Sequence, residues 1–140
     1  TDLNGVGALH MAAIFDRPQV VAPLLAWRAS CEANEHGTNA LHNGIALRAG
    51  AEVVSLLISA GTSMDDRMRP RLGSRPWLVL SVLTAAFSLG LRHPACAHGY
   101  HAWGATPLMI SVMADNSAAM WELLSARADV CARNDRGCSA

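Results

Sequence analysis

Lysine is absent from this chain of 140 residues, and aromatic residues make up only 5% of it. The eleven basic residues are all arginines and are balanced by eleven acidic residues, which argues against a nucleic-acid partner held by bulk charge. Leu, Val and Ala must therefore fill the core of a chain that is 51% hydrophobic. The charge is unevenly distributed, because no acid occurs between Arg67 and Ala114 while four arginines crowd into residues 67–75.

The chain also lacks the short motifs that hold phosphates or assemble a catalytic centre. Neither G-x-x-x-x-G-K nor G-x-G-x-x-G is present, and the carboxylates are scattered, with Asp65 and Asp66 the only adjacent pair. His10 and His42 have no serine or cysteine at a matched spacing that either could activate. We therefore predict a protein that is not an enzyme, with no catalytic residue, no cofactor and no small-molecule substrate.

The cysteines are few and irregularly spaced, at Cys31, Cys96, Cys131 and Cys138. A chain that can build an apolar core does not need the dense disulfide framework of a small secreted domain. We expect reduced thiols in an intracellular, cytoplasmic protein. Cys96, His98 and His101 could donate three ligands to zinc, but without a fourth ligand the pattern favours an exposed loop and no metal.

The stretch from Gly37 to Gly61 reads as one unit made of a turn, a short helix, a second turn and a more apolar helix. The opening of this unit, which begins at Gly37, recurs at Gly5 and at Gly104. A further copy begins at Gly137 but is incomplete. Gly5 and Gly37 lie 32 residues apart, and Gly37 and Gly104 lie 67 apart, close to two units. The spacing predicts a repeat array. The expected units are 1–34, 35–66, 67–101, 102–133 and 134–140, and the incomplete last unit suggests a segment of a longer protein.

Two residues predict details of the helices. Pro23 falls inside the second helix of the first unit, where it removes a backbone hydrogen bond, so a kinked or short helix is expected there. Gly61 falls where a left-handed helix terminus is wanted.

These units resemble the ankyrin repeat, which opens with G-x-T-P-L-H, continues through an apolar V-V-x-L-L-L helix and closes with G-A-D. The motif residues are the L-H steps Leu9-His10 and Leu41-His42, then Gly61, and then Pro107-Leu108 after Gly104. The resemblance covers residues 1–66 and 102–140. It implies an all-α solenoid of helix-turn-helix units with hairpin-like fingers, here a single domain, in which His10 and His42 hydrogen-bond neighbouring loops.

Residues 67–101 depart from the pattern, because Trp77 to Leu91 is an apolar run interrupted only by Ser81, Thr84, Ser88 and Gly90. We favour a degenerate third repeat, buried on both sides by its neighbours. A membrane-associated stretch is a second reading, although fifteen residues fall short of the roughly 20 that span a bilayer as a helix. The third reading is a sequence that was never selected to fold.

The resemblance implies a protein-binding scaffold whose partner, another protein, contacts the fingers and the exposed side of the first helices. Carried over by position, the expected partner-binding residues are Asn4, Val6, Ile14, Phe15, His36, Thr38, Arg48, Trp103, Ala105 and Met113. Phe15 and Trp103 are the expected anchors, since exposed aromatic residues dominate interface energies. The alternative is the ankyrin regulatory segment of a larger multidomain enzyme or membrane channel, with 77–91 associated with the membrane; nucleic acid is not expected as a partner.

Overall fold

The computed structural model describes residues 6–34, 36–91 and 93–140, without the side chains of Pro76, Pro94, Ala95, Cys96 and His98. The described residues form helices and connecting turns with no strand, which confirms the all-α class. The helices are α1 (Ala8–Ile14), α2 (Pro18–Ala26), α3 (Ala40–Ala46), α4 (Ala51–Ser59), α5 (Arg75–Ser88), α6 (Pro94–Ala102), α7 (Pro107–Met113) and α8 (Ser117–Ser125).

Three helix pairs, α1–α2, α3–α4 and α7–α8, share one construction. The first helix of each pair has seven residues and the second has nine. Local chemistry explains where several of these helices begin, because the side chains of Asn39, Thr106 and Asn116 each accept a hydrogen bond from a backbone N–H in the first turn that follows. The left-handed φ of +84° at Gly61, just after α4, is a conformation that glycine adopts without strain.

The stacking order of these pairs differs from the expected one. α3 packs against α1 on one side and directly against α7 on the other, and α4 packs in the same way between α2 and α8. One continuous core results, in which Leu41, Ile45, Val53 and Leu57 of the middle pair are fully buried. The pair α7–α8 is therefore the immediate neighbour of α3–α4.

The prediction that residues 67–101 form a repeat buried between its neighbours is wrong. α5 and α6 pack chiefly against each other, and Gly99 permits their close approach, because a Cβ there would overlap the side chain of Leu83. Leu78 and Val82 on α5 stay more than half exposed. These helices form a hairpin beside the array and not a layer within it.

The two fingers of ordinary length, after α2 and after α8, share one pattern of backbone hydrogen bonds. In the finger after α2, Asn34 N–H donates to Thr38 O at 3.0 Å, and Gly37 N–H donates to Asn34 O at 2.9 Å. The finger after α8 repeats this pattern between Asn134 and Cys138 at 2.8 Å. Only two residues separate the asparagine from the glycine in each case.

The finger between α4 and α7 makes the same two bonds around a much longer segment. Met68 N–H donates to Ala105 O, and Gly104 N–H donates to Met68 O, both at 2.9 Å. Met68 thus stands where the asparagine stands in the other fingers, and residues 69–103 replace the usual two. We call residues 69–103 the inserted segment. The spacing of 67 residues is one repeat plus this segment, not two repeats.

The inserted segment is tied to the array near its two ends. Arg69 Nη2 lies 2.7 Å from Asp135 Oδ1 in the last finger, and the Arg136 guanidinium lies 4.4 Å from the centre of the Tyr100 ring. Tyr100 in turn stacks on Phe87, with the ring centres 4.8 Å apart, which joins α6 to α5.

The prediction that Pro23 makes its helix short is also wrong. α2 runs through Pro23 and keeps the nine residues of α4 and α8. Gln19, whose carbonyl would have accepted the missing hydrogen bond, and Pro23 are both exposed. Water can satisfy that carbonyl, so the lost bond does not end the helix.

Candidate partner-binding surface

A buried polar network at the start of α3 sets the position of the neighbouring finger. Asn39 Oδ1 accepts a hydrogen bond from His42 N–H at 3.1 Å and lies 2.8 Å from His42 Nδ1. Its Nδ2 donates to Ser63 O at 3.1 Å and to Asp66 Oδ2 at 3.2 Å, which connects α3 to the loop after α4. The network therefore fastens the start of α3 to the loop that leads into the inserted segment.

Burial lowers the pKa of His42 to about 4, with carbonyl contacts and the charge of Asp66 opposing the shift only in part. The imidazole is therefore neutral near pH 7, almost completely buried, and held by Asn39. These features describe a structural histidine and not a proton-transfer group that substrates could reach.

A groove of about 460 Å³ runs between the array and the inserted segment. The finger contributes His36, Thr38 and Met68 to its lining; α3 contributes His42, Asn43 and Ala46; α7 contributes Ile110; and α5 contributes Arg75, Val79 and Leu80. One wall is therefore the first-helix side of the repeats, and the opposite wall belongs to a helix that repeats of ordinary length do not have.

The lining of the groove is mostly apolar, and the described residues in it include no carboxylate. Val79 is 58% exposed, whereas Ile110 at the base is buried. The polar side chain of Thr38 is already occupied, because its hydroxyl lies 2.9 Å from Asn34 Oδ1 and 2.9 Å from Asn43 Oδ1. Arg75 is the one arginine among the described residues of this lining, and the buried His42 in the same lining is neutral near pH 7.

Three residues predicted to bind a partner occupy equivalent positions at the finger end. Val6, Thr38 and Ala105 each precede the residue that caps a first helix, so they form one row. Thr38 and Ala105 are both buried, which departs from the exposure expected of them, although Thr38 still contributes to the lining of the groove. The third residue of the row, Val6, is partly exposed, as is the neighbouring His36, which lines the groove.

Four other predicted residues lie at the opposite end of the first helices, about 10 Å away along helices of seven residues. Ile14 and Phe15 end α1, Met113 ends α7, and Arg48 follows α3. Arg48 Nη2 is 2.7 Å from Asp115 O and 3.0 Å from Asp115 Oδ2, which links the α3–α4 loop to the α7–α8 loop. None of these four residues is among those that line the groove.

The two predicted aromatic anchors also differ from each other. Phe15 is 61% exposed, as expected of an anchor. Trp103 is partly buried, and its indole N–H donates to Thr84 Oγ1 at 3.0 Å, so it fastens the end of the inserted segment to α5. Asn4 lies outside the described residues.

The residues of the repeat motif lie inside the array. Leu9, His10, Leu41 and His42 are buried, as are Pro107 and Leu108, while Gly61 is exposed at its turn. The groove residues on α5 and the pairing of Met68 with the finger were not predicted from the sequence. The one signal for them was the change in composition at Arg67, where acids stop and arginines crowd together.

The possible zinc ligands and the possible membrane-associated stretch both lie in the inserted segment. The side chains of Cys96 and His98 are not among those described, and His101 packs edge-on against Tyr100 at 5.1 Å. The described side chains include no group of three or more potential metal ligands, and Cys31, Cys131 and Cys138 are free thiols. No helix within the described ranges has the length and apolar composition needed to span a membrane.

Stacked helix pairs joined by short fingers define a helical repeat array. Residues 103–135, which contain α7, α8 and the start of the finger that follows, match the family model of the ankyrin repeat. The match confirms the predicted resemblance, and the chain contains an ankyrin repeat at this position. No curated protein matches the chain.

Proposed function

We propose that this chain is a non-catalytic, intracellular protein-interaction module, and that its partner binds in the groove between α3 and α5. The observation that carries the proposal is the groove itself, which is open, mostly apolar and bounded by Val79 and Ala46, both exposed. Apolar area that stays in contact with water on an otherwise well-packed array is the usual mark of a binding surface. The ankyrin repeat at residues 103–135 supports this class of function, since such repeats serve as interaction modules.

The size of the groove favours a peptide segment over a folded domain. Its volume of about 460 Å³ lies within the roughly 300–1,000 Å³ that is typical of concave ligand sites. Its two walls, α3 and α5, would contact opposite sides of an extended or helical segment. A partner of this kind buries a few apolar side chains and leaves most of its chain outside.

The proposal is tested by selecting peptides from a phage-displayed library of random dodecamers on the immobilised chain. We expect enriched peptides whose addition shifts the amide resonances of Asn43 and Ala46 in ¹⁵N correlation spectra. Ala46→Arg fills the groove from an exposed helical position and should weaken binding at least tenfold. Ser55→Arg places the same side chain on an exposed position of α4 and is the matched control.

Two outcomes would overturn the proposal. One is the absence of enrichment over a blank support. The other is a set of peptides whose affinity Ala46→Arg and Ser55→Arg change equally, because binding would then not depend on the groove.

A further inference from the structure

The charge around the groove narrows the class of peptide that it can accept. Arg67 and Arg69 are engaged by Asp135, at 3.9 Å and 2.7 Å. Arg71 and Arg75 are exposed and form no ion pair with any residue in the described ranges. Because no acid occurs between Arg67 and Ala114, the inserted segment offers these two cations no partner of its own.

Helix stability does not account for Arg75. It is the first residue of α5, after the capping Ser74, and the first turn of α5 contains no acid. A cation at a helix N-terminus opposes the helix dipole, so this position disfavours arginine in the isolated chain. An anion bound beside Arg75 would interact favourably with both the side chain and the helix end.

The apolar part of the groove lies next to this charge. Val79 is one helical turn beyond Arg75, on the same face of α5, and both line the groove together with Met68. A ligand that satisfies these neighbours must carry an apolar side chain and a negative charge within a few ångströms of each other. A folded acidic domain could not enter the cavity, and a bare polyanion would leave its apolar lining in contact with water.

We infer that the groove between α3 and α5 binds a peptide segment that combines acidic and apolar residues, with a carboxylate paired to Arg75 and apolar side chains packed on Met68, Val79 and Ile110. This inference rests on the proposed function and specifies its partner. It also assigns the inserted segment a role, because α5 supplies both the cation and one apolar wall. Arg71, which is also exposed, attracts the same charge from outside the groove.

The first test uses the composition of the selected dodecamers. We expect peptides enriched on the wild-type chain to contain more Asp and Glu than Lys and Arg, together with Leu, Ile, Phe or Trp. A synthetic copy of the best peptide, labelled with fluorescein, is then titrated by fluorescence anisotropy at 50 and 500 mM NaCl. Its affinity should fall at the higher salt, because screening weakens exposed charge pairs.

The second test uses Arg75→Glu, for which binding and folding are expected to change in opposite directions. The substitution places an acid in the first turn of α5, so it should leave the helix as stable as before or more stable. It should nevertheless weaken binding of the labelled peptide about tenfold, because the new carboxylate repels the acidic peptide that Arg75 attracts. Arg17→Glu is the matched charge reversal, since Arg17 is an exposed arginine beside the N-terminus of α2 and away from the groove.

The third test separates the apolar contact from the charge. Val79→Ala removes apolar surface from the groove wall and should lower the affinity for the peptide roughly threefold to tenfold. Val82→Ala removes the same atoms from the same helix at a position that is exposed but outside the groove lining, so it should change little.

The possible results distinguish the inference from the function on which it rests. Suppose that Ala46→Arg abolishes binding of the selected peptides, but that these peptides show no excess of acids or bind Arg75→Glu as well as wild type. This result would overturn the inference, and the proposed interaction module would stand. A fluorescein-labelled dodecamer of uridylate that binds more tightly than the acidic peptide, with loss in Arg75→Glu, would overturn it in favour of nucleic acid. Failure to select any peptide would overturn both.

Discussion

Asn116 joins the last helix pair to the middle one, and changing it to aspartate tests the stacking order directly. Its Oδ1 accepts a hydrogen bond from Ala119 N–H at 3.1 Å and caps α8, while its Nδ2 donates to Ala49 O at 3.1 Å and to Ile45 O at 3.4 Å. Asn116→Asp keeps an oxygen for the cap but cannot donate to either carbonyl. The substitution therefore removes the contact between pairs without removing the helix cap.

The expected magnitude follows from these contacts. Each lost hydrogen bond is worth about 0.5–1.5 kcal/mol, and a carboxylate at a buried position facing two carbonyl oxygens adds repulsion. The better interaction with the helix dipole returns about 0.5 kcal/mol. We expect a net loss of about 2 kcal/mol in the free energy of unfolding. With a urea dependence of about 2 kcal/mol per molar, the midpoint would fall by about 1 M.

Arg17→Asp is the matched control, because Arg17 precedes α2 with nearly the same backbone conformation. Its φ and ψ are −112° and 75°, compared with −105° and 81° at Asn116, and its side chain makes no capping hydrogen bond. An aspartate there should stabilise the chain by about 0.5–1 kcal/mol, since it gains a cap and donates nothing elsewhere. If a repeat lay between the middle and last pairs, Asn116→Asp would resemble this control. Urea unfolding that shows both variants equal to or more stable than wild type would refute the direct stacking.

Two further predictions concern buried histidine and the inserted segment. Because the pKa of His42 is about 4 when folded and 6.5 when unfolded, stability should be unaffected by this group above pH 6.5 and fall by up to about 3 kcal/mol as the pH drops to 4. Urea unfolding across this range checks the loss, and His42→Gln should flatten it; an unchanged slope would contradict the assignment. Replacing residues 70–103 with one histidine restores a finger of ordinary length, so circular dichroism should show loss of the α5 and α6 helix signal with a single cooperative melt. Loss of that cooperative melt would show that the array needs the segment.

Local features of the fold could be predicted because neighbouring residues determine them. The apolar spacing at Leu41 and Ile45 requires a helix with one buried face, and a glycine at position 61 ends a helix whatever lies beyond it. The ankyrin resemblance depends on such local patterns, and the match at residues 103–135 falls where the motif G-x-T-P is complete. For the site, the finger residues His36 and Thr38, which both line the groove, were among those predicted from the sequence.

The sequence alone determined the period, the helix pairs and their ends, since hydrogen bonding within a few residues controls these. The order of stacking was decided only by the tertiary structure, because a spacing of 67 residues fits either two repeats or one repeat with an inserted segment. Two backbone hydrogen bonds of Met68, to residues more than thirty positions away, favour one repeat with an inserted segment. Backbone bonds of this kind leave no signature in side-chain identity. The groove depends on that choice, since α5 can face α3 only when it lies outside the stack.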